Sequence, residues 1–133
     1  MKKDIEKPSV QGVTIAIKLD ASKAEPHWTV HLINSNDFDL ENVLVASKGY
    51  GKQKGEEQLT STLRHFFEHI GARSVQQVEV ITPEVFHLFN EYWVSYYVDG
   101  KVFDKKFTFV PDSIQKGNLM FIPELNAKGV LHA

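Results

Sequence analysis

The sequence predicts a mainly β domain, an antiparallel β-sandwich of about six to seven strands, for which an immunoglobulin-like topology is one candidate. Three observations predict this fold class. Short runs of alternating apolar residues recur along the chain, turn-forming clusters separate them about every ten residues, and Asp99-Gly100 joins two of the runs. An α+β fold in which residues 60–70 are helical is the alternative.

Four runs that precede the hairpin are predicted to be strands. Residues 13–19 place their apolar side chains on one side, since successive residues of a strand face opposite sides. Residues 28–33 alternate in a similar way and end at the turn-forming cluster 34–37. Residues 43–46 and 75–81 are short or mixed runs, bounded by Gly, Pro or charged residues.

The clearest local signal is Asp99-Gly100, because a type I′ turn needs a positive φ at both of its central residues and this pair tolerates it. The turn fixes the register of a hairpin in which Val98 lies opposite Lys101. One face of the hairpin is the predicted core side and holds Tyr92, Val94, Tyr96, Phe103 and Phe107. The other face mixes aromatic and polar side chains and holds Trp93, Ser95, Tyr97, Val102, Asp104 and Lys106.

Residues 60–70 fit two descriptions. Their apolar side chains recur at helical spacing from Leu63 to Ile70, and Gly71 stands where a helix commonly ends. The segment is short, however, and its threonines and adjacent phenylalanines favour a strand. The number of other strands also favours a strand here, and we predict one.

Two further segments complete the predicted fold. Thr82 and Pro83 begin a helical turn that runs to Phe89 and links two strands, because proline suits the first position of a helix. Residues 113–133 are expected to be mostly irregular, with an added edge strand at residues 129–131. The chain is then a single domain, 1–133, in which residues 1–10 form a flexible arm.

The composition predicts a folded protein without a broad affinity for nucleic acid or membranes. Of 133 residues, 42% are hydrophobic and 24% are charged, as in ordinary globular domains. The net charge of -2 lacks the positive field that drives non-specific binding to nucleic acid. The chain has no cysteine for disulfides, and we expect neither a signal peptide nor a membrane span, so the predicted location is the cytoplasm.

One motif points to metal chemistry. His65-Phe66-Phe67-Glu68-His69 matches H-x-x-E-H, in which two histidines one helical turn apart bind zinc and the glutamate acts as a base. The chemistry requires a helix, because in a strand Glu68 would point away from both histidines. We therefore predict no metal and no cofactor, and a metal-dependent hydrolase using His65, Glu68 and His69 is kept as an alternative function.

The segment Lys48-Gly49-Tyr50-Gly51 resembles two nucleotide-related patterns and completes neither. It begins like the RNP1 sequence, in which an aromatic residue on a sheet stacks on a base, but Lys52 and Gln53 follow. It also misses the glycine spacing of a phosphate-binding loop by one residue. We predict a flexible, glycine-rich loop, and an RNA- or tRNA-associated accessory domain is the second alternative function.

The mixed face of the hairpin is the candidate binding surface. Trp93, Tyr97 and Val102 form an apolar patch with Lys106 at its rim, a composition that is typical of interfaces. The same face could instead be covered by the segment after Pro83, by the C-terminal tail or by a second copy of the chain.

Four phrases resemble a family of small bacterial proteins of unknown role from the Bacteroidetes. They are Thr60-Ser61-Thr62-Leu63-Arg64-His65, residues 43–51, Asn90-Glu91-Tyr92-Trp93-Val94-Ser95 and Phe103-Asp104-Lys105-Lys106-Phe107. Some members of that family carry the label phenylalanyl-tRNA synthetase alpha subunit. The residues here do not support that label, because the chain is far shorter than a class II synthetase core and lacks its motif 2 arginine context and its glycine-rich motif 3. The resemblance implies a small bacterial domain and supplies no catalytic residues.

These observations favour a small binding or protein-interaction module over an enzyme. The expected partner is a second copy of the chain or another protein. A membrane partner is not expected, and the acidic charge balance disfavours nucleic acid.

Overall fold

The computed structural model describes residues 9–21 and 27–132. Within these ranges two antiparallel sheets pack face to face around one core, which confirms the predicted β-sandwich. The strands are β1 Val13–Asp20, β2 His27–Asn34, β3 Leu40–Gln53, β4 Glu56–Leu59, β5 Leu63–Ile70, β6 Ser74–Ile81, β7 Phe89–Val98, β8 Lys101–Phe109, β9 Met120–Ile122 and β10 Ala127–His132. No helix in the described ranges is long and apolar enough to cross a membrane.

Sheet A has the strand order β6-β2-β1-β10-β9, and sheet B has the order β4-β3-β7-β8. The long strand β3 pairs with β7 along one edge, and along its other edge it pairs first with β5 and then with β4. The described ranges thus hold more strands than the six or seven expected, because β4 and β9 were not anticipated and the strand predicted at residues 129–131 is formed as part of β10.

The core lies between the sheets and consists of the inward residues of each strand. Removing each such aliphatic or aromatic side chain from water contributes about 1.5–3 kcal/mol to folding. The fully buried residues of this core include Ile15, Ile17, Val30, Leu32, Val43, Val45 and Phe107. Tyr92, Val94 and Tyr96 belong to the same cluster, and Phe103 packs against it, so the predicted core side of the hairpin is confirmed.

The hairpin has the predicted register. Asp99 and Gly100 have φ values of 50° and 77°, as a type I′ turn requires. Val98 lies opposite Lys101, and the pairing continues without a shift to Asn90 opposite Phe109.

The predicted strand within residues 60–70 is confirmed. Residues 63–70 form β5, so the helical alternative for residues 60–70 is wrong. The predicted helical turn is shorter than expected: it begins at Pro83, after Thr82, but ends at Val85, because Phe89 already belongs to β7.

The glycine-rich segment is not the flexible loop that we predicted, because residues 48–51 lie within β3. Gly49 faces the interior of the sandwich, where a Cβ atom would lie 3.1 Å from Thr60 Cγ2 and 3.3 Å from Leu88 Cδ1. A glycine is therefore used here for close packing inside a strand, not for flexibility.

The C-terminal segment also differs from the prediction, since it supplies two strands. β10 pairs with β1 on one side and with β9 on the other, so it lies inside sheet A and is not an edge strand. Pairing between strands near the two ends of a chain is non-local. The sequence of a short run such as residues 129–131 therefore does not show which strands will pair with it. Most of the arm predicted for residues 1–10 lies outside the described residues.

The C-terminal segment covers part of the outer face of sheet A. Ala16 and Ile33 point away from the main core, yet their exposed fractions are only 0% and 1%. Ile122 of β9 buries them together with Leu125 of the helical turn Pro123–Leu125, which forms a second, smaller apolar cluster. The part of sheet A around Ala16 and Ile33 is thus packed on both faces, whereas Leu131 and Val80 remain 41% and 55% exposed on its outer face.

Candidate functional site

The outer face of sheet B carries apolar and charged side chains from four strands. Directly opposite residues of antiparallel strands project to the same face, so the register defines rows across the sheet. The first row holds Arg64, Ala46, Trp93 and Lys106. The second holds Phe66, Leu44, Ser95 and Asp104, and the third holds His69, Glu41, Tyr97 and Val102. We call these three rows the open face.

The open face is largely uncovered. Its apolar members Phe66, Tyr97 and Val102 are 59%, 42% and 48% exposed, and Trp93 and Leu44 are half-buried. The C-terminal segment, which covers part of sheet A, does not cover the open face, and neither does the turn after Pro83. Single exposed apolar residues are ordinary, but a contiguous set across several strands is typical of a binding surface.

The four residues predicted as a binding patch all lie on the open face. Trp93 and Lys106 are neighbours in the first row, and Tyr97 and Val102 belong to the third. A shallow groove of about 300 Å³ runs along Trp93. The groove is lined by Ala46, Lys48, Thr62, Arg64, Glu91, Trp93 and Lys106.

Sequence reasoning missed the part of the open face that β3 and β5 contribute. Leu44 and Phe66 extend the apolar surface away from the hairpin, and Arg64 adds a second cation to the Trp93 row. The alternation within each strand indicated that these side chains share a face, but only the pairing of β3 with both β5 and β7 places that face next to Trp93.

A second polar site lies between the sheets and is centred on Glu79. A β-bulge in the pairing of β2 with β6 places Val30 opposite Glu79 and His31 opposite Gln77. The extra residue, Val78, shifts the alternation by one position, so that Glu79 points inward on the same face as the buried Val30. A carboxylate therefore occupies a position that a regular strand would give to an apolar side chain.

Three donors from sheet B converge on this carboxylate, whose side chain is only 11% exposed. Ser47 Oγ donates to Glu79 Oε1 at 2.9 Å, and His65 Nε2 lies 2.8 Å from the same oxygen. The Tyr92 hydroxyl donates to Oε2 at 3.0 Å. These bonds offset part of the cost of burying the charge and fix the orientation of the carboxylate.

Tyr92 is locked in its neutral, donating form. Burial raises the pKa of its phenol well above the ordinary value, and the neighbouring negative charge of Glu79 raises it further. The hydroxyl therefore keeps its proton for Glu79 and retains its lone pairs as acceptors.

A cavity of about 200 Å³ opens beside Glu79. Strands of both sheets and the turn after Thr82 line it, with polar groups at its base and apolar side chains around them. The lining residues are Ser47, Lys48, Gly49, Thr60, Ser61, Leu63, Glu79, Val80, Ile81, Thr82, Val85, Asn90 and Tyr92.

The H-x-x-E-H motif does not form the arrangement that zinc catalysis needs. His65 and His69 belong to a strand, where residues four apart are separated by about 13 Å along the backbone. His65 contacts Glu79, and His69 Nε2 lies 2.8 Å from Asp39 Oδ2. The two histidines thus serve different carboxylates, and Glu68 is exposed.

A cluster of possible metal ligands lies at one end of β3 and β5. Ligand atoms of Asp39, Glu41 and His69 lie within 4.8 Å of one another, and all three residues are exposed. Asp39 already accepts hydrogen bonds from His69 and from the backbone N–H of Ala72. The hydrogen bond between Asp39 and His69 is the largest cause of a lowered pKa for the carboxyl and a raised pKa for the imidazole. Asp39 and His69 are therefore paired with each other at the surface, and no contact of the described residues here points to a metal ion.

Tyr50, the aromatic residue of the RNP1-like fragment, lies on β3 next to Phe89 of β7. The two rings are parallel, with centroids 5.3 Å apart, and Lys48 Nζ lies 5.9 Å from the Tyr50 centroid. One face of the Tyr50 ring is thus occupied by Phe89.

Comparisons with protein-family models, with curated proteins and with solved structures find no match. The resemblance to a bacterial family stays a prediction, and arguments about function rest on the geometry of this chain.

Proposed function

We propose that this protein is a non-catalytic interaction module that binds another protein surface through the open face of sheet B. The observation that carries the proposal is the exposure of Phe66, Tyr97 and Val102 in adjacent rows around Trp93. Aromatic residues with an arginine nearby are enriched at the centre of protein interfaces, where they supply most of the binding energy.

The arrangement of charges favours a second copy of the chain as the partner. A two-fold symmetric interface must be complementary to itself. The Trp93 row carries the cations Arg64 and Lys106, and the adjacent row carries the anion Asp104. A two-fold axis parallel to the rows and lying between them would place Lys106 of one copy opposite Asp104 of the other, and Arg64 of one copy against the ring of Phe66 of the other.

The strand order supports an immunoglobulin-like topology as part of this proposal. The order β6-β2-β1 corresponds to strands E, B and A of an immunoglobulin sandwich, and β5-β3-β7-β8 corresponds to C′, C, F and G. β9 and β10 would then be an addition beyond strand A. A cytoplasmic location stays a prediction from the sequence.

Sedimentation equilibrium over a concentration series tests the proposal. We expect the wild-type chain to form dimers, and we expect Tyr97→Asp to weaken dimerisation by at least about tenfold, because it buries an unpaired charge in the interface. The matched control is Leu131→Asp, which alters a side chain of similar exposure, 41%, on the outer face of sheet A. This control should dimerise as the wild type does.

Two results would contradict self-association through this face. One is a wild-type chain that stays monomeric at the highest soluble concentration, which would leave a foreign protein as the only partner for the open face. The other is equal weakening by Tyr97→Asp and Leu131→Asp, which would show that the contact is not specific to sheet B.

A further inference from the structure

We infer that the cavity beside Glu79 is a binding site for a compact organic cation, a primary ammonium group carried by a short apolar body. This site lies between the sheets and is separate from the open face. Its argument rests on the buried carboxylate, on the acceptors around it and on the size and lining of the cavity.

Three of the polar side chains that line the cavity, those of Ser47, Tyr92 and Asn90, present hydrogen-bond acceptors to it. Ser47 and Tyr92 use their hydroxyl protons on Glu79, which leaves their oxygen lone pairs available. The Asn90 amide nitrogen donates to the carbonyl oxygens of Val85 and Leu88, at 2.9 and 3.2 Å. The side-chain carbonyl oxygen of Asn90 is then the group left to bind a ligand, and it can only accept a hydrogen bond. A ligand that meets these groups must itself donate hydrogen bonds, as an ammonium does.

The charge of the cavity favours a cation as well. Two of the lining residues have charged side chains, Glu79 and Lys48; Tyr92 is neutral. Lys48 Nζ is directed elsewhere, since it lies 3.9 Å from Glu91 Oε2 and over the Tyr50 ring. His65 contacts the carboxylate through Nε2, and its side chain is 29% exposed. The fixed charge that a ligand meets is therefore the carboxylate of Glu79.

Size and lining define the rest of the ligand. A volume of about 200 Å³ would hold roughly six or seven water molecules at ~30 Å³ each, which corresponds to a ligand of similar atom count. Leu63, Val80, Ile81 and Val85 supply apolar walls. Most ligand sites combine such walls with a few fixed polar groups, and this cavity is smaller than the sites that hold drug-sized ligands, so it suits a small one.

Burying the Glu79 carboxylate lowers the stability of the fold, and a role in ligand binding would explain why it is buried. The β-bulge turns a carboxylate toward the core, although an apolar residue there would bury more favourably. A buried polar group that lowers stability is expected at a functional site, where it is positioned to bind a ligand.

NMR titration with n-butylammonium tests this inference, with n-butanol and n-butyrate as uncharged and anionic probes of similar shape. We expect n-butylammonium to shift the backbone amide signals of Ser47, Gly49 and Glu79, with an affinity at least about tenfold higher than that of n-butanol, because a charge-assisted hydrogen bond is stronger than a neutral one. n-Butyrate should shift none of these signals.

Two variants locate the binding. Glu79→Gln should reduce the affinity for n-butylammonium at least about tenfold, whereas Glu56→Gln, which removes the same charge from the exposed strand β4, should not. If Glu79→Gln does not fold, Leu63→Lys serves instead, because its own ammonium at the half-exposed mouth should compete with the probe.

The inference is wrong if n-butanol or n-butyrate binds as well as n-butylammonium. It is also wrong if both glutamine variants retain the wild-type affinity, or if no probe shifts the cavity signals at any soluble concentration. In that last case the Glu79 network is purely structural.

Discussion

The outer faces of the two sheets differ in what covers them. Sheet A buries Ala16 and Ile33 beneath Ile122 and Leu125, so the chain itself covers this part of its outer face. Sheet B presents Phe66, Tyr97 and Val102 with 42–59% of their surface exposed. Both outer faces carry apolar residues, but within the described residues a covering segment packs on part of sheet A and none packs on the open face.

The proposed interaction role would account for this difference. A chain that covers one apolar face with its C-terminal segment has a structural means of shielding such surfaces. An aromatic face that remains bare therefore fits a surface reserved for a partner. Substitutions on the two faces should accordingly affect different properties, monomer stability for sheet A and association for sheet B.

The largest expected effect comes from opening the covered face. Ile33→Ala should lower the free energy of unfolding by about 2–5 kcal/mol, because it removes a fully buried side chain and leaves a cavity under Ile122. Urea denaturation at a concentration low enough to keep the chain monomeric measures it. A loss below about 0.5 kcal/mol would show that the C-terminal segment does not pack on sheet A as described.

A smaller loss is expected from disturbing the strand that carries the cover. A Cβ atom at Gly129 would lie 2.6 Å from the carbonyl oxygen of Ile17, so Gly129→Ala should push β10 away from β1 and cost about 1–3 kcal/mol. Gly117→Ala is the control, since a Cβ atom there meets nothing within 4 Å. Thermal unfolding of both variants compares them, and equal melting temperatures would contradict the close approach of β10 to β1.

Truncations on the open face should have little effect on the monomer. Tyr97→Ala and Val102→Ala each should change the free energy of unfolding by less than about 1 kcal/mol, because both side chains remain nearly half exposed. The same urea experiment measures it. A loss of several kcal/mol would place these side chains in a packed environment and would remove the contrast between the two faces.

The smallest expected effect is the pH response of the ion pair at the end of sheet B. His69 has a raised pKa, so its contribution to stability is full below pH 6.5, the ordinary value, and is lost as the pH rises through the folded-state pKa. Asp39 has a lowered pKa, so its contribution is present above pH 3.8 and is lost as the pH falls through the folded-state pKa.

An NMR titration of the His69 ring in wild type and Asp39→Asn measures this response. The variant should return the midpoint toward 6.5, because the hydrogen bond to Asp39 is the main cause of the raised pKa. An unchanged midpoint would show that the contact does not persist in solution.

Local sequence signals predicted the hairpin well. Asp99-Gly100 permits one turn type, and that turn fixes the pairing from Val98 opposite Lys101 onward. The register in turn placed Trp93, Tyr97, Val102 and Lys106 on one face. β5 was predicted for a similar reason, since threonine and adjacent phenylalanines favour an extended chain.

Features that depend on distant pairing were not predicted. The position of β10 between β1 and β9 joins the two ends of the chain, and nothing in residues 129–131 specifies that neighbour. Glu79 was missed because its inward orientation results from a bulge opposite Val30 and His31. Alternation in residues 75–81 alone does not show where the pairing register shifts.

The most direct test of the account is a dilution series of amide NMR spectra of the wild-type chain. We predict concentration-dependent shifts at Leu44, Phe66, Trp93 and Tyr97 on the open face, and constant signals at Ala16 and Ile33 on the covered face. Shifts confined to sheet A, or spectra that do not change with concentration, would contradict self-association through sheet B.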